Sequence, residues 1–341
     1  MAVTLSLETD EFWRTEVAPA LNLSPEVSLT EPDQGFATRV YFVQLPDGNQ
    51  FSLRLYPRRN SPRMKNYLQA NRFLSELGHR VPRIQGTGQT SRRSWVLEER
   101  IPGESFRDLL DSPEAVGKAA AALARLHSTQ RNRYGEVTSW GGFRLNLRWR
   151  QRFAERWAKV TRLFPEAKTL TEQVSRWFAD WADHFEPGSY QLLHGDYHPG
   201  NLCLTRKGEV AFFDLRTPRF GLGLLELIEA AHHFCGEEAT DWQPFVSVYL
   251  RDTGSEVRER FEKQGVDLHA VFHLRHADRF ADLAIGQRGE IGDRRRWERN
   301  AWDSLARFLQ FAGLETPPTE VCRESAFTPV PAPKCSPRQE Y

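Results

Sequence analysis

The chain has 341 residues, of which 40% are hydrophobic, 27% charged and 12% aromatic, a globular composition that excludes wholesale disorder. Its 46 basic and 45 acidic side chains leave a formal charge of +1, which gives no support for a protein that coats nucleic acid. No stretch approaches the roughly eighteen consecutive apolar residues of a membrane span, so no membrane insertion is expected.

The first hundred residues read mostly as strand. Arg39 to Leu45 is rich in β-branched and aromatic residues, Pro46-Asp47-Gly48-Asn49 is a turn, and Gln50 to Tyr56 alternates with period two, so the pair predicts a hairpin. Met64 to Leu77 spaces Tyr67, Leu68, Phe73, Leu74 and Leu77 as a helix, with Gly78 as its stop. Trp95 to Leu97 is a short strand closed by Ile101-Pro102-Gly103. Helices are then expected at Ala115 to His127, Arg144 to Leu163 and Leu170 to Phe185. A strand-turn-strand follows from Asn201 to Leu215, then helices from Leu224 to Phe234 and from Leu268 to Ala312. The tail at 315–341 holds six of the twenty prolines and reads as extended or disordered.

Strands first and helices after predict an α+β protein with two lobes. The expected division is 1–101, 102–314 and the tail 315–341. At roughly 100–200 residues per domain, the length suits two domains or one bilobed domain that needs no disulfide or structural metal. Cys203, Cys235, Cys322 and Cys335 contain no C-x-x-C pair, and Met1 to Glu16 lacks the basic start and apolar run of a signal peptide. A reducing, cytoplasmic setting is expected.

The chemistry concentrates in His194-Gly195-Asp196-Tyr197-His198-Pro199-Gly200-Asn201, followed by Phe212-Phe213-Asp214. A two-residue turn at Lys207-Gly208 would set Asn201 directly opposite Asp214, with Cβ atoms about 4.5–5.5 Å apart. Lys-Gly is not an ideal type I′ pair, so a bulged turn would slip the register by one. An amide oxygen and a carboxylate at one end of a hairpin suit magnesium, which takes few protein oxygens and draws its other ligands from water and phosphates. Asp196 lies on the loop five residues before Asn201.

An H-x-D-x-x-x-x-N loop before a strand ending in Asp is the layout of protein-kinase-like phosphotransferases. The form H-G-D-Y-H-P-G-N resembles the aminoglycoside phosphotransferase and choline kinase-like families of small-molecule kinases. Leu123-Ala124-Arg125-Leu126-His127-Ser128 resembles the helix these families place before their catalytic half. Gly35 to Tyr56 resembles their nucleotide-covering strands, and Val81-Pro82-Arg83-Ile84 the turn after their first helix. The resemblance implies a bilobed protein-kinase-like fold, with a small strand-rich N-lobe and a larger helical C-lobe. It also implies transfer of the γ-phosphate of ATP, with magnesium, to a hydroxyl of a small molecule. Asp196 would orient or deprotonate that hydroxyl, and Asn201 and Asp214 would hold the metal. Arg54 would meet the α/β-phosphates, Gly35 would lie in the nucleotide loop, and the backbone from Glu98 through Arg100 to Ile101 would meet adenine. His194 would support the loop backbone, and Glu226 would brace the loop where relatives have an Asp.

Several residues depart from that pattern. Asp214-Leu215-Arg216 replaces Asp-Phe-Gly or Asp-Leu-Gly, and Gly35 stands without the other glycines of G-x-G-x-x-G. No acid lies between Gly48 and Ser75, so the partner of Arg54 is missing, with Gln69 the nearest polar substitute. These departures favour a catalytically silent ligand-binding module as an alternative; the intact Asp196, Asn201 and Asp214 oppose it. A protein Ser/Thr kinase is a third reading, opposed by the eleven residues between Asp214 and Glu226, too few for a peptide-binding activation segment. The histidines His269, His273 and His276 have helical spacing that would permit zinc. The arginine run from Arg288 to Arg299 alternates with acids and reads as a solvated helix face.

Overall fold

A computed structural model describes residues 9–31, 39–58, 61–137, 145–184, 190–215, 218–236, 239–286 and 291–317. Strands β1 (Ser28–Thr30), β2 (Arg39–Gln44), β3 (Gln50–Pro57), β4 (Ile84–Gln89) and β5 (Arg93–Glu99) form an antiparallel sheet in the order β1-β2-β3-β5-β4. The hairpin expected from the alternation is β2–β3, in register from Gln44↔Gln50 to Arg39↔Leu55. Period two sorts its side chains by face. Tyr41, Val43, Leu53, Leu55, Trp95 and Leu97 bury one face against Trp13, Val17 and Ala18. These last three belong to an N-terminal helical segment that the sequence reading did not identify. The opposite face of β3 and β5 carries Ser52, Arg54, Tyr56, Val96 and Glu98, all buried.

Helix α1 (Ser61–Glu76) covers that second face with Tyr67, Ala70 and Leu74. It ends where expected, at Gly78, whose φ is 78°. After β5, β6 (Gly103–Ser105) pairs with β10 (Leu202–Thr205), which pairs in turn with β11 (Val210–Phe212). Strands β7 (Gln130–Arg131), β8 (Gly135–Glu136), β9 (Tyr190–Leu193) and β12 (Arg219–Gly221) make a second small sheet, ordered β7-β9-β12-β8.

Among the described residues, seven helices surround these strands: α2 (Pro113–His127), α3 (Leu145–Leu163), α4 (Thr171–His184), α5 (Gly223–Cys235), α6 (Gln243–Arg251), α7 (Ser255–Ile285) and α8 (Ile291–Phe311). Ser112 caps α2 by accepting from the Ala115 amide at 3.3 Å, with Pro113 in the first turn, the residue types such a start requires. Helix α6 was not expected, and α7 starts at Ser255 rather than Leu268. One core runs from Tyr67 and Val96 through Leu123, Leu192 and Phe212 to Phe272 and Leu305, so both lobes pack on shared apolar side chains. The fold is α+β and bilobed. No described helix is long and apolar enough to cross a membrane. The tail beyond Pro317 lies outside the described residues.

Candidate active site

The β10–β11 hairpin pairs Leu202↔Phe212, Cys203↔Ala211 and Leu204↔Val210. This register is one residue off the two-residue turn at Lys207-Gly208. The loop instead has three residues, Arg206 to Gly208, closed by Thr205 N–H to Glu209 O at 2.8 Å and Gly208 N–H to Thr205 O at 2.8 Å. Gly208 takes φ 77°, the left-handed position that a three-residue hairpin assigns to glycine. Asn201 therefore faces Phe213, whose N–H donates to its carbonyl at 2.8 Å. Asp214 lies one residue beyond, at φ 54° and 7% exposed. A non-glycine residue held left-handed is uncommon and clusters at functional sites.

The loop before β10 is held from below. Glu226, in the first turn of α5, accepts from the His194 amide at 3.0 Å and the Gly195 amide at 2.6 Å. Its Oε2 also accepts from His127 Nε2 at 2.9 Å, and His127 Nδ1 lies 2.8 Å from the Tyr249 hydroxyl. Gly195 has φ 84°, which turns both amides onto one carboxylate without a Cβ penalty. His194 is fully buried, donates from Nε2 to the Phe213 carbonyl at 2.9 Å, and so ties the loop to the strand that ends in Asp214. Burial holds its pKa below the ordinary value, opposed by Glu226, Asp196 and Asp214.

For Glu226, burial disfavours the charge, yet the hydrogen bond from His127, the charges of His127 and His194 and the Gly195 amide keep it below its ordinary 4.5. A depressed carboxyl pKa contributes stability above the ordinary value and loses it as pH falls through the folded value. Urea denaturation should therefore show Glu226→Ala less stable by about 3–5 kcal/mol at neutral pH, because two amides and an imidazole lose a buried partner. That deficit should shrink below pH 4.5; a deficit constant with pH would contradict an ionised brace.

Asn201 donates from Nδ2 to the Asp196 carbonyl at 2.9 Å and to Asp196 Oδ2 at 3.2 Å. This fixes the amide and turns Oδ1 away from Asp196. His198 Nδ1 accepts from the Gly200 amide at 3.0 Å, which puts its ring proton on Nε2, 3.7 Å from Asp196 Oδ2. Asp196 is half-exposed, and the His198 imidazole, with help from His194 and Asn201, lowers its pKa to about 2 against the cost of desolvation.

In the first sheet, Arg54 is 7% exposed and its Nε donates to Glu98 Oε1 at 2.7 Å. Glu98 is 1% exposed and accepts on its other oxygen from the Tyr67 hydroxyl. The Arg54 guanidinium also lies over the Tyr67 ring, 5.0 Å from its centroid. Burial works against the charge of Arg54, and Glu98 more than offsets it, leaving the pKa raised.

The missing acid partner is thus supplied by β5, which corrects two expectations. Gln69 is exposed on the outer side of α1 and does not substitute for the acid. Glu98 does not offer its backbone to an adenine, because it pairs with Ser52 on one side and Ile84 on the other; its side chain holds Arg54 instead. Arg100 follows the end of β5, exposed, with its amide 3.5 Å from the Gln50 carbonyl and its guanidinium 4.3 Å from the Phe42 ring centroid. Gly35 and Arg216 lie outside the described residues.

His127, Tyr249 and Tyr67 were not expected at the site. His127 sat in the Leu123 to Ser128 match, and Tyr67 on the apolar stripe of α1, so both carried a signal of position without one of role. Two of the three histidines with helical spacing stack on rings, His269 on Trp242 at 4.9 Å and His273 on Phe311 at 5.5 Å. Among the described residues no group of three or more His, Cys, Asp or Glu side chains is placed to hold a metal. The described arginines of the run, Arg294, Arg295, Arg296 and Arg299, are exposed on α8.

Residues 28–262 match the model of the phosphotransferase enzyme family (APH). No curated protein sequence matches the chain significantly. Among solved structures, the macrolide 2'-phosphotransferase MphH from Brachybacterium faecium is similar, with 19% identity and a TM-score of 0.55 over 84% of this chain and 96% of that one. An ethanolamine kinase from Plasmodium vivax superposes with a TM-score of 0.62 at 12% identity, covering 91% of each chain. The amicoumacin kinase hAmiN in complex with AMP-PNP, Ca2+ and Ami gives a TM-score of 0.55 at 16% identity, over 93% of this chain and 99% of that one. These likenesses show the protein-kinase-like fold of small-molecule kinases.

Proposed function

The chain belongs to the phosphotransferase enzyme family, and from that premise we propose that it moves the γ-phosphate of ATP, with magnesium, to a hydroxyl of a small molecule. The observation that carries this reading is one hairpin with its preceding loop, which holds Asp196, Asn201 and Asp214 together under Glu226 and His194. Phosphoryl transfer asks for positioning and charge neutralisation more than for covalent chemistry. The bond from the γ-phosphorus to its bridging oxygen breaks, ADP leaves, and the hydroxyl oxygen forms the new bond as its proton departs.

The residues fit a hard cation on phosphates. Asn201, with Nδ2 committed to Asp196, has Oδ1 to give, and Asp214 adds a carboxylate. Oxygen donors few in number are what magnesium accepts. When bound there, the ion supplies neutralisation of phosphate charge. Arg54 would meet the phosphates with the terminal amino groups that its Nε bond to Glu98 leaves. Ile101, Cys203, Ala211 and Phe213 form a small apolar cluster at the junction of the lobes, which supports an adenine site after β5. Asp196 would align the hydroxyl. The reading divides the chain into a nucleotide lobe at 1–101 and a catalytic and acceptor lobe at 102–314.

Calorimetric ATP titration tests the nucleotide half. Affinity should fall by about tenfold or more when magnesium is removed, because Asp214 and the triphosphate then repel each other at close range. Equal affinity with and without the metal would remove Asn201 and Asp214 as its ligands. Acceptor-stimulated ATP consumption over a metabolite panel tests the transfer itself; binding without consumption by any hydroxyl compound would favour a silent module.

A further inference from the structure

Beneath the catalytic loop, α3, α5, α7 and β12 enclose a cavity of ≈ 40 Å³ lined by Arg152, Arg156, Arg219, Arg275, Glu226 and Glu229. Four guanidinium groups face two carboxylates there. Both carboxylates are engaged. Glu226 accepts from two backbone amides and His127, and Glu229 pairs with Arg275 at 2.5 Å. Arg156 reaches Asp278 at 3.4 Å. Among the described residues Arg152 and Arg219 form no ion pair.

The charge imbalance is visible in the groups themselves. Burial, then Arg275 and Arg152, hold Arg156 down to about 10, against the pull of Asp278. Burial pushes Glu229 up despite Arg275, with Glu226 adding to the rise, so its negative charge is the easier one to lose. A half-buried cluster with excess guanidinium is short of an anion. Arginine forks match the oxygens of carboxylate and phosphate in pairs. At about 10–15 Å³ per water-sized site, the space has room for an oxyanion head.

Its place relates it to the reaction. Arg219 lies opposite Leu193 in the β9–β12 register, and Leu193 lines the cavity and immediately precedes His194. Glu226 is at once a wall of the cavity and the brace of the catalytic loop. Resting on the phosphotransferase reading above, we propose that the acceptor is an anionic hydroxyl compound whose carboxylate or phosphate is held by Arg152, Arg156, Arg219 and Arg275, while its hydroxyl reaches Asp196.

The test uses the full chain loaded with magnesium and AMP-PNP, so that the nucleotide site is filled, and titrates inorganic phosphate by calorimetry. Phosphate should bind, and Arg152→Gln or Arg219→Gln should each weaken it by about tenfold or more without changing AMP-PNP affinity. Arg219→Lys, which keeps the charge and loses the fork, should fall between, and serves if the glutamine variants fold poorly. In turnover assays, glycerate and sugar phosphates should stimulate ATP consumption where glycerol, choline and aminoglycosides do not, with Arg219→Gln raising the acceptor KM more than it lowers kcat.

Absence of phosphate binding to the loaded protein, or binding indifferent to these arginines, would overturn the proposal. So would transfer to a cationic acceptor that the variants leave unaltered. Arginine-dependent phosphate binding without transfer to any compound would uphold the anion site and count against phosphotransfer instead.

Discussion

Asp196→Asn is expected to lower kcat by roughly 10²–10⁴, the range for a positioned acid or base, with the fold and Mg·ATP affinity retained. The substitution is mild structurally, because an asparagine oxygen still accepts from Asn201 Nδ2, which lies 3.2 Å from Asp196 Oδ2. It removes the charge and the proton-accepting oxygen. A carboxylate whose pKa His198 has lowered to about 2 is a weak base at neutral pH, so its main work is to orient the hydroxyl, taking the proton late as charge develops on the oxygen. The pH profile follows with a definite sign. A depressed pKa keeps Asp196 ionised through the mildly acidic range, so kcat should show no acid limb from this group near its ordinary 3.8. His198→Gln should raise the carboxyl pKa toward that value and bring such a limb into view. Near-wild-type turnover in Asp196→Asn on a working acceptor would take Asp196 out of the reaction.

The parts of this site that were legible in the sequence are those whose chemistry is local. His194 to Asn201 is a continuous segment, and its residue types announce a loop that must satisfy two amides and present a carboxylate. The β2–β3 hairpin was legible for the same reason: alternation and a turn signal fix both faces at once. The β10–β11 register was legible only to within one residue, since Lys207-Gly208 does not dictate its turn, and the left-handed Gly208 added a loop residue. Strand β4 was missed because Ile84-Gln85-Gly86-Thr87-Gly88-Gln89 has little apolar content. Gly88 is there for packing: a Cβ would come within 2.4 Å of the Trp95 ring. The Arg54 partner was out of reach for a different reason. A search along the chain between Gly48 and Ser75 cannot find Glu98, which arrives by strand pairing from forty-four residues away.

That pairing makes the consequences of Arg54 substitutions calculable. Glu98→Leu should destabilise the fold by about 3–5 kcal/mol, because it leaves a buried guanidinium without its carboxylate; Arg54→Met should do comparable damage from the other side. The double variant Arg54→Met/Glu98→Leu removes both charges and leaves an apolar contact beside Val96, with the loss of the Tyr67 hydroxyl's acceptor shared by the Glu98→Leu single variant. It should recover much of the lost stability, giving a coupling energy of about 2 kcal/mol or more in the double-mutant cycle. Tyr67→Phe should weaken the pair less, since Glu98 keeps its bond to Arg54 Nε. Gln69→Glu should change nothing measurable, because position 69 is exposed on the far side of α1.

Stability and nucleotide binding then separate. The refolded double variant has no cation at this point of the sheet. Its Mg·ATP affinity should drop by roughly tenfold to a hundredfold, the worth of charge-assisted hydrogen bonds of about 1.5–3 kcal/mol. Arg54→Lys should retain part of that affinity and lose the Nε contact that sets the direction of the fork. Unchanged ATP binding in a folded double variant would make Arg54 and Glu98 a purely structural pair and assign the phosphates to another cation.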